Sequence, residues 1–134
     1  MSLQTIDQGI ATQIGHYADA VVIPPDYEQI LVSATAGIDQ DGDVDGDITR
    51  QSEQVWENVT RVLEAAGASV ADIVFTRQWV TEESDIADYL AVRTRYVDHR
   101  PGSTVIVVSA LERPEFRVAV EVTAARYVGG ATEG

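Results

Sequence analysis

Phe116-Arg117-Val118-Ala119-Val120-Glu121-Val122-Thr123-Ala124-Ala125 is the most strand-like stretch of this 134-residue chain. Strict alternation puts Val118, Val120, Val122 and Ala124 on one face and Arg117, Ala119, Glu121 and Thr123 on the other. The first set reads as the buried face of a sheet. The second holds a carboxylate among small and apolar neighbours, where burial is costly unless something pairs with it. Two readings of Glu121 therefore stand open. Either it forms a salt bridge with one of the arginines, or it holds a proton that chemistry can use.

Working outward, the turn at Arg113-Pro114-Glu115 separates this strand from Thr104-Val105-Ile106-Val107-Val108-Ser109-Ala110, which is apolar on both faces and follows a break at Pro101-Gly102. Ile73 to Val80 reads as another strand. Near the start, Tyr17 to Ile23 stops at Pro24-Pro25 and is predicted to form a hairpin with Gln29 to Ala36. Two helices are predicted. The first runs from about Ile48 to Ala66, with Ile48, Val55, Val59, Val62 and Leu63 at helical spacing. Asp47 can cap its start and Gly67 its end. The second, about Asp85 to Asp98, carries Ile86, Tyr89, Leu90, Arg93 and Tyr96. Residues 1–13 read as a lead-in, 14–128 as one domain and 129–134 as a flexible tail, a length that suits a single core.

The element order is that of an α+β sandwich with two helices on one sheet face. Two helices cover only one side, yet the Thr104 to Ala110 strand is apolar on both. A second subunit is the simplest cover for the other face, so an oligomer is expected.

Charge narrows the function. Twenty-two acidic residues face nine basic ones, all of them arginine, for a net charge of −13. Such a surface repels polyphosphate, so no nucleic-acid partner is expected. The chain has no cysteine, which removes disulfides, thiolate chemistry and zinc-thiolate sites. It has no apolar run of membrane-spanning length, and its first residues lack the pattern of a signal peptide, so no membrane partner and a cytoplasmic location are expected.

Other motifs are weaker. Asp41-Gly42-Asp43-Val44-Asp45-Gly46-Asp47-Ile48 matches the first eight positions of an EF-hand loop, but Ser52 stands where the closing glutamate belongs. A turn at Asp41-Gly42 followed by the helix cap is preferred, and no metal is expected. His16 and His99 have no metal-pair spacing. There is no nucleophile elbow, and the glycines near residue 42 sit among aspartates that would repel a phosphate. Tyr17 opens a strand and can present its hydroxyl at a sheet end.

Together several segments resemble the Rid proteins (reactive intermediate deaminase, YjgF-like). Ile14-Gly15-His16-Tyr17-Ala18-Asp19-Ala20 is similar to that family's opening motif, and Leu31-Val32-Ser33-Ala34 follows it. Gly46-Asp47-Ile48 leading into Gln51, Leu63-Glu64-Ala65-Ala66-Gly67, Asp72-Ile73-Val74, Arg113-Pro114-Glu115 and Val118-Ala119-Val120-Glu121-Val122 complete the match. The expected fold class is accordingly α+β: a single-domain, chorismate-mutase-like sandwich with a mixed six-stranded sheet, two helices on one face, and trimerisation through the other. The resemblance implies a homotrimer with a small-molecule pocket at each subunit interface, and hydrolysis of reactive enamines and imines without metal or cofactor. It implies that Glu121 positions the attacking water and that Tyr17 belongs to the pocket, with Ser33, Ala34, Ser103 and Thr104 as further substrate-binding positions.

One departure stands out. The deaminating members carry an arginine that grips the substrate carboxylate, and Ser103 occupies its place here. Losing that anchor, about 1.5–3 kcal/mol per charged hydrogen bond, predicts weak activity on ordinary 2-imino acids and a less anionic ligand. Arg100 is the candidate substitute, although the Pro101-Gly102 turn is expected to aim it outward. Without a nearby cation, Glu121 is expected to hold a proton near neutral pH and act as an acid or a hydrogen-bond donor. The alternative function is a non-catalytic metabolite-binding or interaction trimer.

Overall fold

The computed structural model describes residues 2–129. Six strands and two α-helices follow in the order β1 (Gln4–Ile6), β2 (Ala20–Val22), β3 (Tyr27–Ala36), α1 (Ile48–Ala65), β4 (Ile73–Val80), α2 (Ile86–Tyr96), β5 (Gly102–Val107) and β6 (Val118–Tyr127). The class is the expected α+β. The six strands divide into a four-stranded sheet of order β3-β6-β4-β5 and a separate two-stranded ribbon of β1 and β2. The large sheet is mixed, because β6 runs antiparallel to both neighbours while β4 and β5 are parallel.

The alternation along β6 holds. Val118, Val120, Val122 and Ala124 are all at most 1% exposed and meet α1 and α2 in the core. The first helix buries Ile48, Val55, Trp56, Val59 and Leu63 on one stripe. Its start is capped as predicted: Asp47 Oδ1 accepts from the backbone N–H of Thr49 at 2.8 Å and of Arg50 at 3.2 Å. Gly67 ends it at φ +80, a left-handed conformation that suits glycine. Inside the acidic loop, Asp39 Oδ1 accepts from the backbone N–H groups of Asp41 and Asp43, and Gly42 turns at φ +87. The loop is the predicted turn and cap.

Three expectations change. The Tyr17 to Ile23 segment does not pair with Gln29 to Ala36. Only Ala20–Val22 is extended, and it pairs with Gln4–Ile6, so the lead-in is part of the ribbon. The Gln29 to Ala36 strand instead takes β6 as its partner, with Tyr27 opposite Tyr127. The strand expected over Thr104 to Ala110 begins earlier and ends at Val107. Gly102 is a strand residue rather than a breaker. A Cβ there would lie 2.5 Å from the Phe75 ring, which occupies that space. The tail expected over 129–134 lies outside the described residues from position 130 onward. Among the described residues no helix is long and apolar enough to cross a membrane.

Candidate functional site

The predicted site residues fall into two groups on opposite faces of the large sheet. The first group surrounds a cavity of about 400 Å³ at the edge where α2, β5 and the loop before β2 meet. Ile14, His16 and Tyr17 form its loop wall; Ile86, Leu90 and Arg93 come from α2; Ser103 and Val105 come from β5. The loop wall is tied down by Asp19, whose carboxylate accepts from the backbone N–H of Gln8 at 2.5 Å and of Ala11 at 2.7 Å. Those two bonds hold the Asp19 carboxyl below its ordinary value. The backbone N–H of Ala18 donates to Pro101 at 3.0 Å, and His16 Nε2 lies 3.3 Å from the Asp98 carbonyl, so the loop is seated on the segment leading into β5.

Alternation along β4 and β5 turns Gln78 and Ser103 toward α2, and a polar network joins them there. Ser103 Oγ accepts from Gln78 Nε2 and from Arg93 Nη1, each at 2.9 Å. Gln78 Oε1 accepts from the Tyr89 hydroxyl and, at 3.2 Å, from Arg93 Nη1. Tyr89 is fully buried, and that burial pushes its hydroxyl far above the ordinary value. Arg93 is only 7% exposed. Burial holds its guanidinium below the ordinary value, opposed by the electrostatic pull of Tyr89 and Tyr17. The serine thus stands where the family's arginine is expected, but the cavity does hold a guanidinium. It arrives from the helix.

The second group lies on the sheet face away from the helices. Glu121 and Arg77 are register partners on β6 and β4, and Arg77 Nη1 donates to Glu121 Oε1 at 2.9 Å. The salt-bridge reading of Glu121 is therefore the one realised, and the expectation of a carboxylate without a nearby cation is corrected: alternation along β4 aims Arg77 at the same face. A shallow cavity of about 230 Å³ lies beside the pair, with Ser33 and Leu31 among its walls. Thr104 is the β5 partner of Arg77 and Ala34 sits exposed at the β3 bulge, so both belong to this side. Leu31, 75% exposed, and Ile106, 45% exposed, leave this face open and apolar. Arg100 lines neither cavity and pairs instead with Asp7, just after β1.

One chain thus brings Tyr17 and Ser103 together, and Ser33 and Glu121 together, but does not join the two pairs. Sequence reasoning did not count Arg93 or Arg77 among the site residues. The signal for Arg93 was present: a charged residue four positions after Tyr89 on the helix's apolar stripe.

Comparison with known proteins agrees with this architecture. Residues 9–126 match the family described as Endoribonuclease L-PSP. A RutC family protein of Pyrococcus abyssi is 32% identical over 117 residues, covering 85% of this chain and 87% of its own. The 2-iminobutanoate/2-iminopropanoate deaminase of Salmonella typhimurium is 28% identical over 131 residues, covering 94% and 99% respectively. Among solved structures, a conserved Rid family protein of Yersinia pestis superposes with a TM-score of 0.80 at 25% identity, over 94% of this chain and all of that one. With the sheet, the helix pair and the Tyr17 loop in place, the chain belongs to the Rid (YjgF-like) family, the family also described as endoribonuclease L-PSP.

Proposed function

We propose that this chain is a cytoplasmic homotrimer that hydrolyses or tautomerises a small enamine or imine in pockets formed between subunits. The observation that carries this reading is the pairing of Tyr17 and Ser103 around one cavity while Glu121 stands on the open sheet face. Packing of that face against a neighbour would cover Leu31 and Ile106 and bring a partner's carboxylate to the Tyr17 cavity. The deaminase activity named for the Salmonella relative supports the reaction class.

In the hydrolysis, Glu121 takes a proton from water as the water oxygen adds to the C=N carbon, and returns that proton to the nitrogen. As the carbinolamine collapses, its hydroxyl proton passes to the amine, the C=O bond forms and ammonia leaves. Arg77 holds Oε1 of Glu121, leaving the other oxygen to orient the water. Ordinary 2-imino acids should turn over more slowly than in relatives with arginine at the position of Ser103, because Nη1 of Arg93 is already committed to Gln78 and Ser103. Ribonuclease activity is not part of the reading, since the −13 charge opposes RNA binding.

The test couples the purified protein to an amino-acid oxidase and traps the released imine with semicarbazide. Added protein should lower trapping, and Glu121→Gln should remove that effect while leaving ligand binding nearly intact. Equal turnover by wild type and Glu121→Gln would take Glu121 out of the mechanism. Binding without any turnover would favour the second reading, a non-catalytic metabolite-binding trimer, for which the committed Arg77–Glu121 pair is the supporting observation.

A further inference from the structure

The bond that holds Glu121 is slight for a group whose position matters. Arg77 is half-exposed and donates a single N–H, from Nη1 to Oε1 at 2.9 Å. An ion pair of that kind adds little by itself and leaves both side chains room to swing. What steadies the arginine lies two residues back. Alternation along β4 puts Phe75 and Arg77 on the same open face, and Arg77 Cζ lies 5.0 Å from the centre of the Phe75 ring. The π face of the ring attracts the guanidinium, and a planar cation lying against it has fewer ways to turn.

The ring, in turn, lies where it does because of the residue beside it. Phe75 is the register partner of Gly102 on the parallel strand β5. A Cβ at position 102 would stand 2.5 Å from Cδ2 of the ring and 2.8 Å from Cε2, whereas ordinary contacts begin at 3.4 Å. Gly102 has no left-handed φ, so its backbone makes no demand for glycine; the ring does. Gly102, Phe75, Arg77 and Glu121 therefore run across three neighbouring strands, β5, β4 and β6, each contact setting the next. None of the four lines the Tyr17 cavity of its own chain.

We propose that Gly102, Phe75 and Arg77 are positioning residues for Glu121: the bare Cα at 102 seats the ring, the ring holds the guanidinium, and the guanidinium fixes which carboxylate oxygen is free. This rests on the reading of Glu121 as the base of the hydrolysis, and it makes the placement of that base depend on a strand two away from its own.

The experiment measures kcat and KM of the full chain in the oxidase-coupled imine assay, at one fixed protein concentration and with assembly followed by sedimentation. Gly102→Ala has to push the ring by about 1 Å to regain an ordinary contact, so kcat should fall about 10- to 100-fold with KM unchanged. Phe75→Val removes both ring carbons that the new Cβ would meet. It should lower kcat about 2- to 5-fold, the weight of one exposed cation–π contact. In that background Gly102→Ala should cost nothing more. Arg77→Lys keeps the charge and should retain more of kcat than Arg77→Met. A wild-type kcat in Gly102→Ala, a loss carried in KM instead, or costs that simply add in the double variant would each overturn the assignment. If Gly102→Ala does not fold, Phe75→Val and Arg77→Lys carry the test. The contacts are also read without turnover, from nitrogen-15 spectra of the Arg77 guanidinium. Its rotation about Nε–Cζ should be slow in the wild type and fast in Gly102→Ala and Phe75→Val. Fast rotation in the wild type, or slow rotation that neither variant frees, overturns the proposal. Slow rotation that they do free supports it, even where no imine is turned over and the hydrolytic reading has failed.

Discussion

Replacing Ser103 with arginine, the residue the family resemblance calls for at that position, is expected to destabilise this chain rather than restore a deaminase. The serine oxygen lies 2.9 Å from Arg93 Nη1, so a guanidinium extended from position 103 enters space that already holds one. At a separation of about 5 Å and an effective dielectric near 20, two like unit charges repel by about 3 kcal/mol. Two donors, on Gln78 and Arg93, also lose their acceptor, at about 1 kcal/mol each. Rotation of the new side chain toward solvent recovers part of this, leaving a loss of about 2–4 kcal/mol. For a domain of this length that is a fall in Tm of about 6–16 °C. The assay is thermal and urea unfolding of wild type, Ser103→Arg, Arg93→Met and the double variant at one fixed protein concentration, because assembly shifts apparent stability. In the Arg93→Met background the arginine should cost less by about 2 kcal/mol or more, a coupling of opposite sign to the single losses. A stable Ser103→Arg chain, or single effects that simply add, would refute the geometry on which the helix-borne cation rests.

Two further predictions test the scaffold. Asp85 is buried and holds Arg117 with both oxygens, to Nε at 3.0 Å and Nη2 at 2.7 Å. Asp85→Asn should lower the urea midpoint by the equivalent of about 2–3 kcal/mol with an unchanged slope, since Arg117 is itself partly exposed. The Asp19 carboxyl titrates below its ordinary value of 3.8, so the bonds to Gln8 and Ala11 contribute fully above that pH and fade as the pH falls through the folded value. Backbone amide signals of residues 8–11 should therefore lose their dispersion on acidification below about 3.8 before the core signals do, and Asp19→Asn should remove that early step.

The parts of the fold that could be read in advance are those where one residue's surroundings are set by its near neighbours. The valines of β6 declare a buried face through their period of two, and Asp47 and Gly67 mark the ends of α1 by their own conformational chemistry. Strand partnership is different. Tyr17 to Ile23 looks like the first arm of a hairpin because Gln29 to Ala36 follows it, yet β3 pairs with β6, about ninety positions away in sequence. Periodicity is the same for either partner. Gly102 was misread because its role depends on the Phe75 ring across the strand pair. The site divides along the same line. Glu121 and Tyr17 are candidates that motif and strand position alone suggest, whereas Arg77 and Arg93 join them only once β4 lies beside β6 and α2 lies across β5. A charged residue on a helix's apolar stripe is the one warning the sequence contained.

The two walls of the Tyr17 cavity differ in how firmly they are fixed. One is α2, which is part of the main core; the other hangs from a ribbon of three residue pairs and the Asp19 loop. Short peripheral units open with far less free energy than a whole domain. Escape of a bound molecule would then follow the breathing of the ribbon rather than global unfolding, and hydrogen exchange at residues 14–22 would report the residence time. Stiffening the ribbon would slow entry and exit together.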